Sequence, residues 1–346
     1  MKREITAAFL SILLLAPVAA QSSAPSLVWQ KTFGGSNWDS GNHVVRTADG
    51  GYLVVGHTKS SSSGEQDIFV VKTDSWGNKE WDKRLGGEYW DWGYSAVQTI
   101  DGGYAIVGAT FTATKQEDAL LIKLTQSGVV EWEKKFGGDL WDIAFSFIQT
   151  SDGGYAIVGY TGSYGENNGD VWLIKTDRFG DKEWEKTYPG SRRDIGYSVV
   201  QTSDGGYAIA GFTSSKGSGE KDAWLLKTDA WGNLQWDKPY GGAQDDVARY
   251  VLPSMDNGYL LAGWTSSFGS GGYDVWIAKV DASGNLEWQK SFGGSDVDQG
   301  YQAVETKDGG YVIVGFTRSF GQGVEDAWLL KIDSKGKEEW NRTFGG

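Results

Sequence analysis

The four-residue sequence Asp-Gly-Gly-Tyr, followed by an apolar run, constrains the fold of this chain more than any other feature. It occurs first at residues 49–52 and returns with its aspartate at Asp101, Asp152, Asp204, Asp256 and Asp308. One copy has Asn257 in place of the first glycine. The six tyrosines are 51 or 52 residues apart. A period of this length predicts a solenoid, a propeller or another repeat array.

Each repeat contains four short segments that favour β-strands. In the first repeat we predict strands at residues 43–47, Tyr52–Thr58, Asp67–Thr73 and Lys79–Leu85, joined by glycine-rich turns and by a polar loop at 59–66. Glycine accepts the positive φ that tight hairpin turns need. No segment has helical periodicity, which excludes an α-solenoid, and a parallel β-helix would need shorter coils. The pattern predicts an all-β, six-bladed β-propeller of four-stranded antiparallel blades.

The first twenty residues have the features of a Sec-type signal peptide. Lys2 and Arg3 form a basic start, an apolar core rich in leucine follows, and residues 18–20 are small enough for cleavage. The core is too short to span a bilayer, and no later segment is long and apolar enough to do so. We therefore expect an exported protein whose mature chain begins at Gln21 and forms one propeller domain over residues 21–346.

Composition and motifs exclude several classes of function. The formal net charge of −13 argues against nucleic acid, whose binding depends on Lys and Arg that neutralise phosphates. Without cysteine, an exported chain depends on burial and hydrogen bonding for stability. We find no phosphate loop, no Gly-x-Ser-x-Gly, no HExxH and no cysteine nucleophile. We predict no catalytic residue, no metal site and no cofactor, and we interpret His43 and His57 as variants at positions that are aromatic in other repeats.

A tryptophan-containing strand occurs seven times, once more than six blades require. Its members are Trp29, Trp81, Trp132, Trp184, Trp236, Trp288 and Trp340. Either Trp29 or Trp340 completes the last blade, and the other belongs to a surplus strand. An extra or frayed strand is the favoured interpretation, and addition to the edge of a neighbouring molecule is the alternative.

The repeat resembles those of a known class of proteins. Its segments Asp-Gly-Gly-Tyr, Asp-x-Trp-Leu-x-Lys-x-Asp and Gly-Asn-x-x-Trp-x-Lys-x-Phe-Gly-Gly are similar to the repeats of secreted bacterial and archaeal β-propeller proteins, most of them without an assigned activity. The resemblance covers nearly all of residues 27–346 and implies the fold rather than a function. Asp74, Gly77 and Trp81 also resemble the tryptophan-docking motif of quinoprotein propellers, which is structural and implies no quinone cofactor.

The recurring residues have predicted structural roles. Fourth-strand rings such as Trp81 and third-strand rings such as Trp172 should fill the space between blades, and lysines such as Lys83 should extend between blades toward carboxylates. One aspartate precedes each innermost strand, and by symmetry these six should form a ring near one mouth of the channel. We call them the first-strand aspartates: Asp39, Asp91, Asp142, Asp194, Asp246 and Asp298. The favoured interpretation is that these carboxylates accept hydrogen bonds from backbone N–H groups or pair with lysines. The alternative is that they bind a cation such as calcium.

Variation between repeats is concentrated on one predicted face. The linkers between blades and the loops after each second strand should share that face, where a rigid scaffold usually presents function. Trp38, Trp90 and Trp141 occupy equivalent linker positions. The longer loops add Phe111, Tyr164, Phe268, Tyr273 and Phe320. The predicted ligand-binding residues are Trp38, Tyr89, Trp90, Trp92, Trp141, Arg192 and Arg193, with Asp39, Asp91 and Asp142.

Three interpretations of this aromatic face stay open at this point. Rings beside carboxylates suit a sugar, Trp, Tyr and Arg suit a protein partner, and the rings could instead pack against their own linkers. We predict a secreted, non-catalytic binding or scaffold module, expected as a monomer, that recognises a glycan or a cell-surface protein. The alternatives are an extracellular carbohydrate-active enzyme with acidic residues at the channel mouth and a structural subunit that assembles through the surplus tryptophan strand.

Overall fold

The computed structural model describes residues 24–60, 65–111, 113, 116–165 and 169–345. The predicted signal peptide at residues 1–20 lies outside the described residues. The described residues form twenty-four strands in six four-stranded antiparallel sheets, which is the six-bladed β-propeller fold that the repeat predicts. No helix among them is long and apolar enough to cross a membrane.

The chain divides into two compact units, each made of whole blades. Residues 26–136 form the first unit, and residues 24–25 with 137–345 belong to the second. In the first unit, blade one contains β1 (Asp39–Arg46), β2 (Tyr52–Thr58), β3 (Asp67–Thr73) and β4 (Lys79–Leu85), and blade two contains β5 (Asp91–Gln98), β6 (Tyr104–Phe111), β7 (Glu117–Leu124) and β8 (Val130–Phe136).

The second unit holds the other four blades. Blade three contains β9 (Asp142–Gln149), β10 (Tyr155–Thr161), β11 (Asp170–Thr176) and β12 (Lys182–Tyr188), and blade four contains β13 (Asp194–Gln201), β14 (Tyr207–Thr213), β15 (Asp222–Thr228) and β16 (Leu234–Tyr240). Blade five contains β17 (Asp246–Pro253), β18 (Tyr259–Thr265), β19 (Asp274–Val280) and β20 (Leu286–Phe292), and blade six contains β21 (Asp298–Glu305), β22 (Tyr311–Thr317), β23 (Asp326–Ile332) and β24 (Glu338–Phe344).

The first strand of each blade is longer than the sequence pattern indicates. In blade one we predicted a start at residue 43, but β1 begins at Asp39, whereas β2, β3 and β4 have the predicted bounds. The pairing register of β1 with β2 shifts between Gly41 and His43, which makes Asn42 a bulged residue. The bulge interrupts the alternation of polar and apolar residues, and this is why the pattern concealed the first half of the strand.

The Asp-Gly-Gly turns are the tight hairpins that the sequence predicts. Gly50 has a φ of 85°, and the Thr47 amide donates to the Gly51 carbonyl over 2.9 Å. In blade five the same position holds Asn257, whose φ of 65° is the only positive value among the described non-glycine residues. Asparagine tolerates this left-handed conformation better than most residues do.

Beneath each of these turns lies a buried lysine whose partners we did not predict. We call these residues the third-strand lysines: Lys72, Lys123, Lys175, Lys227, Lys279 and Lys331. Each Nζ lies 2.7–3.2 Å from Oδ2 of the turn aspartate in the same blade. In five blades a fourth-strand glutamate supplies a second carboxylate, and blade four has the neutral Gln235 instead.

Fourth-strand tryptophans pack against the following blade, as predicted. Within the second unit, the Trp184 ring centroid lies 6.1 Å from that of Tyr207, and Trp236 lies 6.4 Å from Tyr259. Third-strand rings such as Trp172 are 1% exposed. Lys238 extends to the next blade as predicted, and its Nζ donates to Asn285 Oδ1 over 2.7 Å. Hydrogen bonds from Asn285 and the nearby charge of Lys238 lower the pKa of the Asp281 carboxyl in the same turn.

The structure resolves which tryptophan is surplus. Trp340 lies in β24, which pairs with β23 and completes blade six. Trp29 lies outside any strand and packs edge-on against Tyr52 of blade one, with ring centroids 5.7 Å apart. In this position it contacts blade one as Trp81 contacts Tyr104 of blade two, at 5.9 Å.

Candidate functional site

The first-strand aspartates hold the linkers in place through hydroxyl groups. In blade five, Oδ2 of Asp246 accepts from Ser267 Oγ and from the Gly242 amide, each over 2.7 Å, and Oδ1 accepts from Thr265 Oγ1. Ser267 Oγ in turn accepts from the linker amide of Gln244 over 3.0 Å. The favoured interpretation, a carboxylate that accepts backbone N–H bonds, is confirmed, with Ser and Thr rather than Lys as side-chain partners.

Three of the predicted ligand-binding residues are first-strand aspartates that accept from linker amides. Asp91 is 3% exposed and Asp142 is 0% exposed, and their Oδ2 atoms accept from the linker amides of Gly87 and Gly138. Asp39 is half-buried and accepts from the Gly35 amide over 2.8 Å. Asp91 and Asp142 therefore position the linker, and direct ligand contact by either residue stays a prediction. Among the described residues, no three acidic or histidine side chains converge to hold a metal ion.

In the first unit, three predicted site residues belong to one continuous aromatic cluster. Trp90 stacks on Trp92 with centroids 5.9 Å apart and an interplanar angle of 17°, and Phe111 meets both rings edge-on. Trp38 joins the cluster through His57, which lies 4.9 Å from Trp38 and 5.8 Å from Trp92. We call these five residues the blade one–two aromatic cluster.

Two rings of this cluster reach the surface. Trp38 is 47% exposed and Trp90 is 37% exposed, while Trp92 is half-buried and His57 is buried. Tyr89, beside Trp90 in the same linker, is 38% exposed. The cluster therefore has a supporting layer and an exposed layer, as a stacking platform requires.

The exposed rings are fixed by their own linkers and by polar neighbours. The Trp38 carbonyl accepts from Lys59 N over 2.9 Å, and the Trp90 carbonyl accepts from Phe111 N over 2.8 Å. The indole N–H of Trp90 donates to the Glu65 carboxylate, and that of Trp92 donates to the Gln66 amide oxygen. Trp90 is thus held both at its backbone and at its ring.

His57 is a neutral part of the supporting layer. Burial lowers its pKa to about 4, even though the Asp39 carboxylate acts in the opposite direction. Its Nδ1 lies 3.3 Å from Nδ2 of Asn42, the bulged residue of β1. We interpreted His57 from the sequence only as a variant at an aromatic position. The signal that it belongs to this surface is that position, near the end of a second strand, where blades three to six have Tyr160, Phe212, Trp264 and Phe316.

The remaining predicted site residues lie in the second unit. Trp141 is 56% exposed and makes no ring contact within the described residues. Arg192 and Arg193 are exposed, and the Arg193 guanidinium lies 4.9 Å from the ring centroid of Tyr160. These side chains offer one free aromatic face and one stacked cation.

Two loop aromatics of the second unit pack against third-strand rings and stay partly exposed, Tyr164 at 37% and Phe320 at 44%. Tyr164 lies 5.6 Å from the buried Trp172, and its hydroxyl donates to the Gly137 carbonyl over 2.6 Å. Phe320 packs on Trp328 at 5.6 Å. The interpretation that rings pack against their own linkers is confirmed for Tyr164, through its bond to Gly137.

Comparison with known proteins shows likeness of fold and identifies no family. No protein-family model matches the chain. The regulatory protein FlaEY of Caulobacter vibrioides is 29% identical over 172 residues, which cover 42% of this chain and less than a fifth, 18%, of FlaEY. Sqt1 from Chaetomium thermophilum aligns with a TM-score of 0.51 at 13% identity, over 80% of this chain and 69% of Sqt1. The β-propeller domain of the Trilobed protease from Pyrococcus furiosus aligns with a TM-score of 0.47 at 12% identity, over 91% and 95%.

Proposed function

We propose that this chain is an exported, non-catalytic binding module that holds a glycan on the blade one–two aromatic cluster. The observation that carries the proposal is that Trp38 and Trp90 are 47% and 37% exposed while His57, Trp92 and Phe111 pack against them. A pyranose presents apolar C–H faces that stack on indole rings. Because the rings are already fixed, little side-chain entropy is lost when a sugar binds.

Polar groups beside the rings match the hydroxyls of a sugar. Glu65 is exposed and already accepts from the Trp90 indole, so its carboxylate lies at the edge of the platform. A sugar hydroxyl that donates to an ionised carboxylate forms one of the stronger hydrogen bonds available in proteins. This combination of apolar faces and a charged rim favours a glycan as the ligand of the first unit.

A protein partner is the second candidate, and it is favoured by the second unit. Trp141 is 56% exposed there, and Arg193 stacks on Tyr160. Tryptophan, tyrosine and arginine supply most hot spots of protein interfaces. In this proposal the partner is a cell-surface protein, and it contacts Trp141, Arg192 and Arg193 of this chain.

Export is part of the proposal and is supported by the sequence alone. Residues 1–20 combine a basic start, an apolar core and small residues at the cleavage position. The absence of cysteine from the whole chain means that the fold needs no oxidising compartment. Amino-terminal sequencing of the protein recovered from culture medium should begin at Gln21, and recovery of uncleaved protein in the cytosol would contradict export.

A glycan-array screen of residues 21–346, with and without calcium, tests the proposed function. We expect saturable binding to at least one glycan class, lost in the variant Trp90→Ala. The matched control is Trp231→Ala, because Trp231 is 70% exposed on a turn at the other end of its blade. A blank array, or a hit that survives both Trp38→Ala and Trp90→Ala, would contradict the glycan and leave the protein partner, tested by capture from the native cell surface.

A further inference from the structure

The bulged residue of each first strand occupies one equivalent position in every blade. The six residues at this position are Asn42, Tyr94, Phe145, Tyr197, Arg249 and Tyr301. In the second unit, three of the four are aromatic and one is an arginine. Arg249 therefore places a charged group where the neighbouring blades place a ring.

The side chain of Arg249 lies between the rings of the two adjacent blades. Its Cζ is 4.1 Å from the ring centroid of Tyr197 in blade four and 5.6 Å from that of Tyr301 in blade six. Tyr197 is itself packed against Phe145 at 5.2 Å and Phe212 at 6.0 Å. The guanidinium is thus held by aromatic faces, a contact that leaves its N–H edges available.

The guanidinium has no polar partner of its own. Within the part of the chain that the structure describes, Arg249 forms no ion pair and donates no side-chain hydrogen bond. Arg318 of the same unit differs, since it binds the Glu325 carboxylate. Arg249 is also half-buried. A partly desolvated charge without a counter-ion is unfavourable, and an incoming anion would relieve it.

We propose that Arg249, Tyr197 and Tyr301 form a binding site for an oxyanion, the carboxylate, sulfate or phosphate group of a small ligand. Two parallel N–H groups of the guanidinium would donate to two oxygens, the geometry that arginine supplies and lysine does not. The Tyr197 hydroxyl, which makes no hydrogen bond within the described residues, is a further donor. The site is separate from the blade one–two aromatic cluster and does not depend on the proposed glycan.

The test is isothermal titration of the purified protein with sulfate, phosphate, glucuronate and neutral glucose at low ionic strength. We expect one oxyanion to bind at least ten-fold more tightly than glucose, and the affinity to fall as salt is added. Arg249→Tyr should abolish the binding while the protein stays folded, because it gives blade five the residue of blades four and six. Arg249→Lys keeps the positive charge but lacks the two parallel N–H groups of the guanidinium, and it should weaken binding about ten-fold. The control is Arg178→Gln, an arginine on a turn whose Cζ lies 4.7 Å from a single ring, that of Phe179.

Each outcome decides for or against the site. Preference for glucuronate indicates a ligand with a carboxylate group. Preference for sulfate or phosphate indicates a ligand that carries a sulfate or phosphate ester. Absence of binding by all three anions overturns the proposal, as does binding that is equal in Arg249→Tyr and in the unmodified protein. Loss of binding in Arg178→Gln to the same degree would also overturn it, because the effect would then reflect general charge.

Discussion

Blade four provides a sharp test of the third-strand lysines, because its lysine has a single carboxylate partner. Lys227 donates to Asp204 Oδ2 over 2.8 Å, to the Thr228 carbonyl over 2.8 Å and to Gln235 Oε1 over 3.1 Å. In blade three, Lys175 lies 2.8 Å from Asp152 and 3.0 Å from Glu183. The variant Asp204→Asn therefore removes the last carboxylate from a buried lysine, whereas Asp152→Asn leaves one in place.

The expected cost follows from the pKa of the two aspartates. Burial acts to raise each pKa, but hydrogen bonds from the lysine, from a threonine and from a turn amide lower it from 3.8 to about 2. A shift of roughly 1.8 units corresponds to about 2.4 kcal/mol. Because the two carboxylates are 52% and 59% exposed, we halve this for solvent screening to about 1 kcal/mol for each pair.

Asp204→Asn carries a second cost, since breaking a buried ion pair leaves an uncompensated charge worth about 3–5 kcal/mol. Gln235 and the Thr228 carbonyl still accept from Lys227, so we expect a total near the lower end, about 3 kcal/mol, against about 1 kcal/mol for Asp152→Asn. Urea unfolding of both variants measures the difference. Adding Gln235→Glu to Asp204→Asn should recover about 2 kcal/mol. Equal destabilisation by the two single variants, or no recovery, would refute this reasoning.

Two further predictions concern a turn glycine and a buried carboxylate. Gly232 has a φ of 74°, and a Cβ there would lie 2.6 Å from the Trp184 ring, whereas Gly205 has a φ of 82° and its nearest neighbour at 3.8 Å. Urea unfolding should show a loss of about 1 kcal/mol for Gly205→Ala and about 3 kcal/mol for Gly232→Ala, and equal losses would disprove docking of Trp184 on this turn. Burial raises the pKa of Glu117 from 4.5 to about 7, so its ionisation destabilises the fold as pH rises from about 4.5 to 7. Glu117→Gln should raise the free energy of unfolding by about 3 kcal/mol at pH 8 and leave it unchanged at pH 4, and an equal gain at both pH values would contradict the assignment.

Much of the fold could be predicted because the sequence of each repeat encodes its own strands and turns. The bounds of β2, β3 and β4 follow from the pattern of apolar residues and from turn glycines such as Gly50. Glycine marks these turns because it adopts positive φ without strain. The start of β1 could not be predicted, because the bulge at Asn42 breaks that alternation. The partner of Lys72 was also missed, since Asp49 lies in a different turn and only the folded sheet brings the two together.

The candidate site was predictable in its residues but not in its geometry. The linker positions of Trp38 and Trp90 follow from comparing repeats, and both rings are exposed. Their connection through His57 depends on side-chain contacts at the end of β2, and comparing repeats shows only that this position is aromatic in other blades. The burial of Asp142 was missed for the same reason, because its hydroxyl partner Ser163 is supplied by a loop whose sequence resembles any polar linker.

The most direct test of the central claim is the affinity of one array-positive glycan for the unmodified protein and for Trp90→Ala, measured by isothermal titration calorimetry. Stacking a sugar on the exposed indole should contribute about 2 kcal/mol, so the account predicts a roughly 30-fold rise in Kd. The control Trp231→Ala should leave Kd unchanged. Equal affinity of Trp90→Ala and the unmodified protein, or an array on which no glycan binds, would contradict the account.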